Sequence, residues 1–187
     1  MKQKVSDYIA DRLAQERISQ VFTVTGGGAM HLNDSLGHHP GLSCLYHHHE
    51  QAAAMAAEAY ARVDNRMAAV CVTSGPGATN AITGALCAWM DSIPMLVLSG
   101  QVRYDTTVRH SGLKIRTMGV QEYDITPSVE PMTKYAVMVT DPLTIRYHLE
   151  RAIYLAKTGR PGPCWLDLPL NVQSAVVETD DLKAYDP

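Results

Sequence analysis

One carboxylate in this chain has the surroundings for proton chemistry. Glu50 follows His47, His48 and His49, and seven of the thirteen residues from Glu50 to Arg62 are alanine. Alanine has the highest helix propensity, so a helix is expected there. At about 100° per residue, Gln51, Met55, Glu58 and Arg62 share one narrow stripe, the expected solvent face. Glu50 falls away from that stripe, beside Ala54, Ala57 and Ala61. A carboxylate among methyl groups is poorly solvated, which raises its pKa and readies it to exchange a proton. The plainer alternative is a first-turn glutamate that offsets the helix dipole.

Two glycine runs flank Glu50 in the chain: Gly26-Gly27-Gly28 and Thr73-Ser74-Gly75-Pro76-Gly77. Neither completes the dinucleotide fingerprint Gly-x-Gly-x-x-Gly, because His31 and Asn80 stand where the third glycine belongs. A Gly-Lys-Ser/Thr phosphate loop is also missing. Each run alone is ordinary turn chemistry between strand and helix; their pairing around Glu50 points to a binding role. Consecutive histidines leaving a strand alternate in direction, so His47, His48 and His49 are not expected to share a metal ion. No Gly-x-Ser-x-Gly elbow supports a hydrolase. Arg103, Arg109 and Arg116 are expected on a solvated loop face.

These residues need a scaffold, and the apolar pattern supplies one. A first helix is expected over about 4–17, with Val5, Tyr8, Ile9 and Leu13 on one face. Short buried strands are expected at 21–24, 42–46, 68–72, 95–98, 135–139 and 164–168. Helices lie between them, including one over 78–89. Asp141-Pro142 starts a helix whose buried face is Ile145, Leu149, Ala152, Ile153 and Ala156, ending at Gly159. Residues 100–131 are expected as a long loop with one short helix, and such loops are usually functional. Strands alternating with helices give an α/β fold: a doubly wound, six-stranded, mainly parallel sheet with helices on both faces. Both glycine loops and Glu50 directly follow strands, so they should gather at the carboxyl edge, where ligands bind on such sheets. Residues 1–172 are expected to form one domain and the acidic, polar stretch 173–187 a linker.

The 187 residues carry sixteen basic and nineteen acidic side chains, a net charge of -3. That balance argues against nucleic acid or an anionic membrane as a partner. No apolar run reaches the roughly 20 residues that span a bilayer, and residues 1–7 lack the apolar core of a signal peptide. Cys44, Cys71, Cys87 and Cys164 have no paired spacing and are expected as small buried hydrophobes in a cytoplasmic protein.

Six motifs in order carry a family resemblance. They are Thr25-Gly26-Gly27-Gly28, His49-Glu50-Gln51-Ala52-Ala53, Thr73 through Asn80, Asp91-Ser92-Ile93-Pro94, Gln121-Glu122 and Gly159-Arg160-Pro161-Gly162-Pro163. Over about residues 4–172 the chain resembles the N-terminal, pyrimidine-binding domain of thiamine-diphosphate-dependent enzymes, and most of all the acetolactate synthases. The resemblance implies that Glu50 bonds the cofactor's aminopyrimidine and relays the proton that activates it towards a 2-keto acid. It implies that Gly26, Gly27, Gly28, Thr73, Ser74, Gly75, Pro76, Gly77 and Asn80 shape the pyrimidine pocket, and that Gln121 faces the substrate.

Two positions depart from the synthases, which usually carry phenylalanine at Val120 and often proline at Thr25; the keto acid therefore stays open. The Gly-Asp-Gly motif through which the family holds Mg²⁺ and diphosphate is absent from these residues. The resemblance thus implies a chain inactive alone, working as a homodimer or higher assembly with a diphosphate-binding domain or subunit. Some members also bind FAD through residues outside such a segment. Two alternatives stand beside this reading: a non-catalytic pairing or regulatory module of the same fold, and a nucleotide binder.

Overall fold

In a computed structural model, which describes residues 1–64 and 66–187, the chain folds as the strand–helix rhythm requires. It runs β1 (Lys2–Lys4), α1 (Val5–Gln15), β2 (Gln20–Thr23), α2 (Met30–His38), β3 (Ser43–Tyr46) and α3 (Glu50–Asp64). Then come β4 (Ala68–Val72), α4 (Pro76–Asn80), α5 (Ile82–Asp91), β5 (Met95–Gln101), α6 (Val108–Ser111) and α7 (Thr126–Val129). It ends with β6 (Tyr135–Met138), α8 (Ile145–Lys157), β7 (Pro163–Pro169), α9 (Leu170–Gln173) and β8 (Val176–Glu178).

Six strands form one sheet in the order β3-β2-β4-β5-β7-β6, and every pairing is parallel. Side chains alternate across it, so each strand feeds two cores. In β4, Ala69 and Cys71 join Leu96, Leu98, Cys164 and Leu166 under α1, α2 and α8. Ala68, Val70 and Val72 join Met95, Val97 and Trp165 under α3, α5 and α7. With both faces covered, the strands carry continuous apolar runs. Cys71 and Cys164 are buried, which pushes both thiols up to about 12; Cys44 and Cys87, expected buried, are half-buried.

Four features depart from the pattern reading. Glu58 is buried rather than solvent-facing, because the Arg62 guanidinium folds over it and reaches on to Asp91 Oδ2 at 2.5 Å. The single helix expected over 78–89 is two helices: Pro76 starts α4 early, and a tight turn at Ala81, whose amide bonds Ala78 O at 3.1 Å, separates α4 from α5. Residues 100–131 hold two short α-helices, with 3₁₀ turns at Tyr104–Thr106 and from Glu130. Finally, the stretch expected as a linker, 173–187, packs at several points: β8 pairs antiparallel with β1, and Gln173, Val177 and Leu182 are buried.

The alanines of α3 serve close packing. Ala54, Ala57 and Ala61 are buried against α5, and a Cβ on Gly84 would meet Ala54 Cβ at 2.4 Å and its backbone carbon at 2.6 Å. Gly84→Ala must therefore push α5 from α3. We expect a loss of roughly 1–3 kcal/mol, read as a lower urea midpoint; an unchanged midpoint would show that the helices have room to spare.

Candidate functional site

The chain reverses its direction of travel across the sheet between β2 and β4: β3 is added on one side of β2, and β4 and β5 on the other. Loops after two such strands diverge and leave a crevice at the carboxyl edge, the usual ligand position. The 26–28 loop follows β2 and the 73–77 loop follows β4, so both glycine runs face that crevice.

Thr73 joins them. Its Oγ1 accepts the Gly28 amide at 3.0 Å. A Cβ on Gly26 would lie 2.5 Å from Thr73 Cβ, and one on Gly28 would lie 2.8 Å from Ser74 Oγ. Only glycine at 26 and 28 lets the loops touch. Gly27 is exposed, with nothing within 4 Å of its Cβ position. Gly28 is also held from below: Gln173 Nε2 donates to its carbonyl oxygen at 2.7 Å and to Leu168 O at 2.6 Å.

Glu50 opens α3 beside this junction. His49 Nδ1 accepts the Gln51 amide at 3.1 Å, so one of the three histidines caps the helix. His47 turns back to Leu45 O at 2.9 Å. Asn80 Nδ2 donates to Glu50 Oε2 at 3.0 Å. The other carboxylate oxygen, Oε1, looks towards Gly77, where a Cβ would stand 3.3 Å from it and 2.6 Å from Thr73 Cγ2. The missing Cβ lets Gly77 pack against Thr73 beside Glu50. The expected dry setting is only partly built: the methyl face beyond Glu50 is buried, but Glu50 itself is half-buried and Asn80 is exposed.

Gln121 comes to the far side of the 74–77 loop through its backbone. Gly75 takes φ +55, and a Cβ there would lie 2.2 Å from Gln121 O. Gln121 has φ 56, in the left-handed region that glycine favours, and its side chain is exposed. Gly75, Pro76, Thr79, Gln121, Glu122 and Tyr123 line a cavity of about 250 Å³. The carboxylate of Glu122 accepts the amides of Val108 (2.6 Å), Met118 (2.8 Å) and Gly119 (3.0 Å), which gives the loop its shape. The structure thus gathers Gly26, Gly28, Glu50, Thr73, Ser74, Gly77 and Asn80, and sets Gly75 and Gln121 against each other beyond Pro76. Among the described residues, no helix is long and apolar enough to cross a membrane.

Two interlocked glycine loops and one carboxylate thus stand together at the strand-order reversal. Residues 3–123 match the family model described as the thiamine pyrophosphate enzyme, N-terminal TPP binding domain. The chain is 37% identical over 177 residues to the acetolactate synthase large subunit of Lactococcus lactis, covering 94% of this chain and 29% of that protein. It is 35% identical over 189 residues to the acetolactate synthase isozyme 3 large subunit of Escherichia coli, covering 97% and 32%. With the large subunit of Corynebacterium glutamicum, identity is 40% over 172 residues, covering 89% and 26%. The chain belongs to the family of thiamine pyrophosphate enzyme N-terminal domains. It spans between a quarter and a third of the length of these relatives.

Proposed function

We propose that this chain is the pyrimidine-binding half of a thiamine-diphosphate-dependent 2-keto acid carboligase or decarboxylase of the acetolactate synthase kind. The observation that carries the reading is the Glu50 carboxylate. One oxygen is held by Asn80, and the other lies beside Gly77, next to the Gly28–Thr73 junction. That arrangement fits an aminopyrimidine. A carboxyl oxygen would share a proton with a ring nitrogen, and glycine loops would leave room for a flat ring.

Gly26, Gly27, Gly28, Thr73, Ser74, Gly75, Pro76, Gly77 and Asn80 would hold the pyrimidine, and Gln121 would face the keto acid. When bound, thiamine diphosphate supplies the electron sink for cleaving the bond beside a carbonyl. Glu50 Oε1 would give and take a proton at the ring nitrogen, while Asn80 keeps the carboxylate aimed. A diphosphate needs a nest of amides or a cation, so Mg²⁺ and the diphosphate belong on a further domain or subunit. The same partner would close the half-open side of Glu50. We expect the 187-residue chain to be inactive alone, to pair with itself, and to work in the cytoplasm.

The test combines this chain with a diphosphate-binding domain, thiamine diphosphate, Mg²⁺ and pyruvate or a longer 2-keto acid. Carbon dioxide should be released by the combination and not by the chain alone. A combination that binds the cofactor yet releases none from any keto acid tried would overturn the reading. A second reading, the pairing module, draws on the exposed Trp89 and Met90 at the end of α5 and requires assembly without turnover. Gly77→Ala separates the two: its Cβ would press on Thr73 and crowd Glu50 Oε1, so cofactor affinity should fall about tenfold or more while self-association persists. Equal affinity would show that nothing flat rests there.

A further inference from the structure

A fully buried polar cluster lies outside the Glu50 site, at the carboxyl ends of β5 and β7. Ser99 and Asp167 are register partners on adjacent strands, and Ser99, Gln101, Trp165 and Asp167 are each at most 1% exposed. Trp165 Nε1 donates to Ser99 Oγ at 2.8 Å, and Ser99 Oγ donates to Asp167 Oδ1 at 2.6 Å. Gln101 Nε2 donates to Asp167 Oδ2 at 3.1 Å and, with its other hydrogen, to Tyr123 O at 2.8 Å. The Gln101 carbonyl oxygen accepts the Val102 amide at 3.0 Å. Every polar atom of the Gln101 amide is therefore used, and its orientation is fixed by Asp167 on one side and by the 102–125 segment on the other.

That segment is also tied at its two ends: Ile125 is fully buried in the core with Val97 and Trp165. Asn171 Oδ1, just past β7, takes the Tyr104 amide at 2.8 Å, while Glu122 bonds only amides within the segment. Between those ends, the Tyr123 carbonyl, two residues beyond Gln121, is held by a side-chain amide that Asp167 aims. A buried carboxylate is costly to keep, and packing alone would be served as well by leucine. Its hydrogen-bond pattern explains its presence: the acceptor oxygen aims the Gln101 donor.

We propose that Asp167 is a positioning residue which, through Gln101, holds the segment bearing Gln121 against the 74–77 loop. That Gln121 meets substrate rests on the functional reading above; the latch itself does not. The ionisable groups near Asp167 are Asp124 and Arg109 of that segment, whose fields oppose each other there; β5 presents only the non-ionising Ser99 and Gln101.

The latch is tested by amide hydrogen exchange on the full 187-residue chain. Asp167→Leu keeps the volume and removes the acceptor. It should raise opening of the Val108, Met118 and Gly119 amides at least tenfold, with the β4–β5 and β5–β7 ladders unchanged within about twofold. Asp167→Asn keeps a carbonyl acceptor for Gln101 and can turn its amide to Ser99 Oγ, so it should leave the segment protected. Gln101→Leu cuts the same link without touching Asp167 and should match Asp167→Leu, which covers a leucine variant that fails to fold. In the double variant the effects should not add, because one link is cut twice. Unchanged segment amides in both leucine variants, or equal loss in Asn and Leu variants, would overturn the proposal. In the assembled enzyme, Asp167→Leu should raise the keto-acid KM about tenfold and spare cofactor affinity. Absent turnover in the wild type would refute the functional reading and leave the latch standing.

Discussion

Glu50→Gln is expected to reduce carbon dioxide release by the assembled protein at least about a hundredfold, since removing a positioned proton carrier forfeits 10²–10⁴ in rate. The substitution is isosteric. The glutamine carbonyl can still accept the Asn80 Nδ2 hydrogen now found at 3.0 Å, and the helix start keeps its His49 cap. Stability should therefore move by no more than about 0.5 kcal/mol, as for surface changes away from the core. Lost is the capacity of Oε1 to carry a proton. An amide offers a donor or an acceptor there, but never exchanges one for the other at neutral pH. Turnover is the diagnostic measurement, with a melting curve as control. If the variant matches wild type in kcat, Glu50 is only a first-turn residue complementing the helix dipole, and the proton route lies elsewhere.

The sheet was legible because each of its strands is a short apolar run set off by turn residues, and because two-sided burial removes any need for alternation. The meeting of the two glycine loops beside Glu50 was legible for a related reason. Glycines that let loops interlock, and a carboxylate placed where a strand hands over to a helix, are local features of the chain. What escaped depends on partners distant in sequence. Glu58 was set on the solvent stripe because a helical wheel knows nothing of Arg62 folding over it towards Asp91, 29 residues ahead of Arg62. Val176 and Val177 lie in a stretch that reads as a polar tail until β1 is placed beside it. Gln173 supports Gly28 across 145 residues. One signal for the latch was present and unused: Asp167 interrupts the apolar run Cys164 to Leu168, and a charge within a buried strand needs a bonded partner.

That same aspartate should give the fold an unusual dependence on pH. Burial pushes the Asp167 carboxyl up from 3.8 to about 7, against the lowering pull of the hydrogen bonds from Ser99 and Gln101. Between those two values the native chain holds a proton that the unfolded chain has released. Stability therefore falls as pH rises through the window from about 4 to 7, and is level above it. At 1.36 kcal/mol per unit, the fully buried group contributes a change of about 4 kcal/mol across that window, a large share of the stability of a domain this size. Other carboxylates, such as Asp105 beside Arg103, are held below their usual range and pull the opposite way at the acid end. The comparison must therefore be made against Asp167→Asn, which keeps those groups and lacks this titration. Urea midpoints for both chains from pH 4 to pH 8 should show wild type losing about 4 kcal/mol relative to the variant. The Trp165 indole proton, one hydroxyl removed from the carboxylate, should titrate in step near pH 7 in wild type and stay flat in the variant. A constant stability difference with a flat indole signal would mean that Asp167 keeps one charge state throughout, and that the Ser99 and Gln101 donors outweigh its burial.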